Sequence, residues 1–441
     1  MKIDIVKVIA DARLSARHYQ IVAIGFGVMI VDGYDLAAMA MAIPRLSRDW
    51  GVQPSELSLA LSAVFVGVFF GSGTAGWLGD RIGRRTTLVG TLAVAGLGMS
   101  LTPLVQNPDQ LAVARFITGA GAGGGIPVIL AYTQEHMPDS SRNLFTALMY
   151  TGAGMGSVLG GLAGPSLLAI GDWQAIFVTG GVAAFAMIPV ILIFLPESVR
   201  FLVGKGAPSQ RVGPMLAKLN REFDPPEVAT YELVEPNKPE SSGAFAALFK
   251  RDLVYVTAFV WLVFVSNQFL VFYVASWMPT LLVGEDVAMD NALYILALFN
   301  LGGVVGGVLF GLFGDRLSPV RVLLATYSSA IVLLLMFAVA GTSLWLLSIS
   351  ATLAGAAIVG SSFLLGAFTP SLYPTKARST GIGSALAVGR FGSIAAPLLG
   401  GYFLAQGLGM RDMMIAATIP ALLCTLAIVG IKRQTAARIT R

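Results

Sequence analysis

Charge is scarce in this sequence. Only 12% of the 441 residues are Asp, Glu, Lys or Arg, against roughly 25% in an ordinary soluble domain, so water is not the solvent for most of the surface. One cysteine, Cys424, and two histidines, His18 and His136, complete a short list of reactive side chains. A lone cysteine excludes an internal disulfide, and without a Cys/His cluster the usual metal-ligand sets are missing. No Gly-x-x-x-x-Gly-Lys-Ser/Thr stretch offers a phosphate cradle, and Gly119 to Gly125 lie inside an apolar run, where they read as packing residues. No cofactor is expected, and an enzyme is not. A cleavable leader is also absent from the pattern: Lys2 to Tyr19 is mixed charged sequence, and the first apolar run carries Asp32 and Asp35.

What the sequence has instead is apolar length, with 56% hydrophobic residues. Crossing about 30 Å of hydrocarbon takes about 20 helical residues. Twelve such runs are expected, near 20–43, 57–78, 86–105, 111–135, 144–169, 173–195, 253–279, 291–313, 320–340, 344–370, 380–404 and 412–431. Stretches such as Val89 to Leu101 are apolar all round, which excludes the alternating strands of a membrane barrel. The fold class is therefore all-α membrane protein. Lys and Arg cluster in alternate loops, with Arg45, Arg48 and Arg411 the exceptions and Arg115 and Arg390 inside spans. That bias puts both termini in the cytoplasm. It also accounts for the net charge of +5 without a nucleic-acid partner.

The chain repeats itself. An offset of about 235 residues superimposes Pro44 on Pro279 and Asp80-Arg81 on Asp315-Arg316; one residue further, Gly119 falls on Gly355, Pro138 on Pro374 and Arg142 on Arg378. Two parallel six-helix halves are a known transporter plan, with substrate held near mid-membrane between them. The division expected is 1–196, a cytoplasmic linker at 197–251 carrying one surface helix near Gln210 to Glu222, and 252–441. Rows of glycine at every fourth position, Gly152 to Gly164 and Gly303 to Gly311, suit close helix approach.

Charges in mid-membrane are costly and so mark function. Asp32 and Asp35 sit near the middle of the first span, three residues apart on one helical face, and are expected to share a cavity and carry a proton. The competing reading is a pair satisfied by Arg and hydroxyl partners. Arg390, in the eleventh span, offers a permanent planar cation for a carboxylate, or else a structural ion pair to Asp32 or Asp35. Asn267 falls opposite Asp32 by the repeat offset, with Gln268 beside it. Phe269, Tyr273 and Trp277 follow as an aromatic stripe that either stacks on a ring or packs in the core. His18 and His136 read as bystanders at helix ends.

Gly76-Trp-Leu-Gly-Asp-Arg-Ile-Gly-Arg-Arg85 resembles the signature loop of the major facilitator superfamily, echoed by Gly311-Leu-Phe-Gly-Asp-Arg-Leu-Ser-Pro-Val-Arg321. Arg115-Phe-Ile-Thr-Gly-Ala-Gly resembles its fourth-helix motif, and Pro196-Glu-Ser-Val-Arg-Phe-Leu202 the segment closing its sixth helix. Asp32-Gly-Tyr-Asp35 is similar to the motif of the aromatic acid:proton symporters. The resemblance implies a bacterial inner-membrane monomer importing hydroxybenzoate-like carboxylates with protons by alternating access. Uptake of a sugar acid or other organic anion, and proton-antiport efflux, are the alternatives. It further implies that Arg115 aids proton transfer and that Tyr34 joins the substrate site. Asp80, Arg81, Arg84, Glu135, Arg142, Asp315 and Arg316 would govern the gate.

Overall fold

The computed structural model describes residues 2–226, 230–233, 244–250 and 253–439; the side chains of Asn143, Ala244, Asp315, Lys376 and 436–439 also lie outside that description. In chain order the elements are β1 (Lys2–Asp4), α1 (Ile5–Ala10), α2 (Ala16–Trp50), α3 (Ser58–Ile82), α4 (Arg84–Leu101), α5 (Pro108–His136) and α6 (Arg142–Phe194). The linker carries α7 (Val199–Gly204), α8 (Ser209–Leu219), β2 (Thr230–Glu232) and α9 (Ala244–Ala247). The second half holds α10 (Val254–Gly284), α11 (Met289–Arg316), α12 (Pro319–Ala338), α13 (Leu344–Gly355), α14 (Ser361–Phe368), α15 (Arg378–Ala405) and α16 (Met410–Ile439).

Eleven described stretches are long and apolar enough to cross a membrane. The longest, within α6, is two helices: Gly171 and Asp172 leave helical geometry, so the chain turns there and makes twelve passes. Asp172 Oδ1 accepts from the Trp173 amide at 2.8 Å and restarts the helix. α13 and α14 are one pass, joined by a π-helical segment at Ala356–Gly360.

The repeat is visible in the packing. A methyl group at Gly67 would lie 2.2 Å from the Phe116 carbonyl oxygen, and one at Gly119 would lie 2.0 Å from that of Val64. In the second half, a methyl group at Gly302 would lie 1.9 Å from Thr352 O and one at Gly355 would lie 1.8 Å from Phe299 O. These are the same helix pair at the repeat offset, and only glycine lets the backbones approach so closely. The row that makes this contact in α11 is Gly302 and Gly306, whereas Gly303 and Gly307 face the side chains of Val359 and Phe363, and Gly311 faces open space.

Three apolar cores result. One belongs to the first half and the linker, near the end of the bundle that carries the linker, and one to the second half at that same end. The third is shared by both halves at the far end, where Trp173, Tyr273, Trp277 and Phe299 are buried together. Contacts between halves on that side include Ser62 Oγ donating to Ile394 O at 2.8 Å and the Phe65 and Phe272 rings 4.4 Å apart. The halves thus share a core at the far end and keep separate cores at the linker end.

The linker's first part is docked onto the first half. β1 pairs in parallel with β2, Ile3 opposite Tyr231, and Val212, Leu216 and Leu219 of α8 share the first half's core with Ile5 and Ile9. Lys2 pairs with Glu232 at 2.7 Å, Arg13 pairs with Glu222 at 2.9 Å, and Asn220 Nδ2 donates to Val8 O at 3.0 Å. The Glu232 carboxylate holds the Lys2 ammonium above its ordinary value. The Pro-rich stretch expected to act as a tether falls largely on 227–229 and 234–243, outside the described residues, as does Arg251.

Candidate functional site

Two carboxylates on one face of α2 meet different fates. Asp35 is gripped by Arg115 of α5, with Nη1 to Oδ1 at 2.7 Å and Nη2 to Oδ2 at 3.0 Å. Arg115 is fully buried, and its guanidinium lies 5.6 Å from the centre of the Phe177 ring. Asp32, one turn earlier and 9% exposed, has no donor within hydrogen-bonding distance among the described residues. Both aspartates border a void of about 20 Å³ with Thr91 and Thr118, enough for one water molecule. At the repeat-related positions the second half has Asn267, Leu270 and Ala351, so this buried charge cluster has no counterpart there.

On the linker side of the shared core lies a cavity of about 570 Å³ between α3, α5, α6 and α15. Arg390 is the cation on its wall, and Phe69, Phe70 and Tyr150 are its aromatics. Ile126 borders both this cavity and the void at Asp32. The charges of Arg390 and Asp32 attract across the intervening space without an ion pair among the described residues.

Other expected site residues lie elsewhere. Asn267 is held within the second half, its Nδ2 donating to Ser362 Oγ at 2.7 Å and its Oδ1 accepting from Tyr327 Oη at 3.0 Å. Gln268 is half-buried beside Gly389. Phe269 stacks on Tyr273 at 5.4 Å, and Tyr273 and Trp277 are buried in the shared core with Tyr273 Oη and Trp277 Nε1 unpartnered. Tyr34 Oη donates to Ile176 O at 2.8 Å. His18 and His136 lie at helix ends, in the first turn of α2 and the last of α5, and both are buried there. Phe69, Phe70 and Tyr150 were not among the residues expected from sequence. The two phenylalanines sit in a run apolar on all sides, and Tyr150 is related by the repeat to Leu386, which lines the same cavity.

The signature loop forms a network inside the first half. Arg84 bridges Asp80 at 2.7 Å and Glu135 at 3.1 Å, and Ser198 Oγ donates to Glu135 at 2.5 Å. Glu197 accepts from the Arg85 amide at 3.1 Å and packs where a side chain at Gly83, φ 101°, would intrude. Arg81 lies over the Trp77 ring at 4.0 Å, and Arg142 pairs with Asp139 at 2.6 Å. Arg316 is exposed, and the Asp315 side chain is outside the described residues.

This chain is 32% identical to a gallate transporter of Pseudomonas putida, over 97% of its own length and 95% of the relative's. A 4-hydroxybenzoate transporter of the same species is also 32% identical, with the same coverage. Among solved structures, that of a D-xylose-proton symporter aligns with a TM-score of 0.72 at 16% identity, covering 94% of this chain and 97% of that one. The Major Facilitator Superfamily model matches residues 25–342 and again 286–440. With twelve passes, a two-fold repeat and a cavity between its halves, the chain is a membrane transporter and belongs to the Major Facilitator Superfamily.

Proposed function

We propose that this chain imports aromatic carboxylic acids together with protons by alternating access. The observation that carries the reading is Arg390, the cation on the wall of a largely apolar cavity whose other polar side chains are the hydroxyls of Ser72, Thr74 and Tyr150, with Phe69 and Phe70 beside them. A guanidinium fork fits a carboxylate, aromatic faces fit a ring, and a phenol donates to or accepts from ring hydroxyls. The volume, about 570 Å³, falls in the ordinary range for small-molecule sites. Relatives that carry gallate and 4-hydroxybenzoate support the substrate class.

Asp32 is the proton carrier in this reading, because Asp35 is already committed to Arg115. A protonated Asp32 stops attracting Arg390, whose guanidinium then receives the substrate carboxylate. Release of both on the linker side restores the attraction. An inside-negative potential opposes anion entry by about 2.3 kcal/mol per charge per 100 mV, and one cotransported proton cancels that. Asp80, Arg81, Arg84, Glu135 and Arg142 stand on the first half's linker side, and Asp315 and Arg316 occupy the repeat positions of Asp80 and Arg81 in the second. These groups set the conformational balance and not the substrate. The protein acts as a monomer in a bacterial inner membrane with both termini cytoplasmic, the side to which the cavity opens.

Uptake of radiolabelled gallate, 4-hydroxybenzoate and gentisate, beside gluconate and lactate, into proteoliposomes tests this reading. Acid-outside stimulation of aromatic uptake alone is the expected result. Flux of gluconate or lactate without aromatic flux would replace the substrate class, and protons entering in exchange for substrate leaving would replace import.

A further inference from the structure

We propose that the basic groove where α8 meets the start of α2 binds the headgroup of an anionic phospholipid. The groove, of about 800 Å³, carries Arg17 and Tyr19 from α2 and Lys218 and Arg221 from the linker, with no carboxylate on its wall. Two other linker-side cations are already paired, Lys2 with Glu232 and Arg13 with Glu222. Among the described residues Lys218 and Arg221 have no acidic partner, and both are exposed.

The groove faces lipid, not the transport cavity. Its floor continues to Ala23, which is exposed. Around that position Gly152 of the fifth pass packs on Phe26 and Met187 of the sixth packs on Gly27, so the strip between those passes is an outer face. Tyr19 is 56% exposed and stands edge-on to Phe145 with centroids 5.8 Å apart, an amphipathic ring at the point where charged sequence gives way to the apolar run from Ile21. A headgroup phosphate at the cationic mouth and an acyl chain along Ala23 satisfy both ends at once. The cationic rim is held in place, because Ser15 Oγ donates to the Lys218 carbonyl at 3.4 Å and α8 is anchored in the first half's core. A lipid seated there bridges the linker to the first pass and fastens the docked segment.

The test uses the purified full chain in detergent, with its unfolding midpoint followed against added phosphatidylglycerol, phosphatidylcholine or inorganic phosphate. Phosphatidylglycerol should raise the midpoint and the other two should not. The double variant Lys218→Gln/Arg221→Gln should need at least about tenfold more phosphatidylglycerol for the same rise, since removing one charge-assisted hydrogen bond changes affinity by a factor of this order. Lys432→Gln/Arg433→Gln, which removes equal charge elsewhere, should respond as the parent does, and Lys218→Arg should retain binding. Native mass spectrometry of bound phosphatidylglycerol on the single Lys218→Gln variant supplies a readout if the double variant unfolds, with reduced occupancy expected. No stabilisation by phosphatidylglycerol, an equal loss in both double variants, or full occupancy on Lys218→Gln would overturn the proposal. Inorganic phosphate acting as well as lipid would overturn the lipid assignment and leave a simple anion site.

Discussion

Asp35→Asn should destabilise the protein far more than Asp32→Asn, although the two aspartates stand three residues apart on one helix. Arg115 cannot shed its proton in compensation. Its guanidinium is fully buried and spends two of its donors on the Asp35 carboxylate, at 2.7 and 3.0 Å. Removing one partner of a buried pair costs about 3–5 kcal/mol, because the other charge stays buried without compensation. An asparagine oxygen still accepts one bond, which puts the loss near about 3 kcal/mol, a large part of the 5–15 kcal/mol by which typical domains are stable. Asp32 has no such partner, so its amide replacement should change stability by less than about 1 kcal/mol. The assay is thermal unfolding in detergent followed by tryptophan fluorescence. Adding Arg115→Gln to Asp35→Asn should recover part of the loss, since the stranded charge is then gone. Equal shifts for Asp32→Asn and Asp35→Asn, or no recovery in the double variant, would refute the division between a structural and a free carboxylate.

Three further outcomes follow from the same geometry. Arg390→Lys keeps the charge but loses the fork, and one charge-assisted bond is worth about 1.5–3 kcal/mol, so the KM for aromatic acids should rise by about tenfold to a hundredfold; an unchanged KM would remove Arg390 as the anchor. Gly302→Val should cost about 1–3 kcal/mol or more, because a methyl group there lies 1.9 Å from Thr352 O, whereas Gly311→Val on the same helix meets open space and should be neutral; comparable unfolding midpoints would contradict the packing assignment. Ile3→Asp puts a charge at the buried contact with Tyr231, so limited proteolysis should cut the linker severalfold faster, and parent-like cleavage would mean that the strand pair contributes nothing.

Much of the architecture was legible because the bilayer imposes its length on every span. The break at Gly171 and Asp172, which leaves one continuous apolar helix by composition, was readable as a gap between runs because both residues interrupt the hydrophobic pattern. The repeat was readable from pairs such as Gly119 and Gly355, which do the same packing work where α5 meets α3 and where α13 meets α11. Side-chain direction was less legible. A stripe at fourth-residue spacing names a face but not what the face meets, and Tyr273 and Trp277 turned to the shared core at the far end while Phe69, Phe70 and Tyr150 face the open cavity. Spacing likewise put Asp32 and Asp35 on one face, but their separation into a paired and an unpaired carboxylate depends on Arg115, 80 residues away from Asp35 in sequence. The strand pair between β1 and β2 had no signal, since its partners are three residues each and more than two hundred apart.

Asp32→Asn reconstituted in proteoliposomes is the most direct test of coupled transport. Gradient-driven accumulation of 4-hydroxybenzoate should be lost while exchange of internal for external substrate persists. Accumulation equal to that of the parent protein, driven by the same acid-outside gradient, would contradict a proton carried by Asp32.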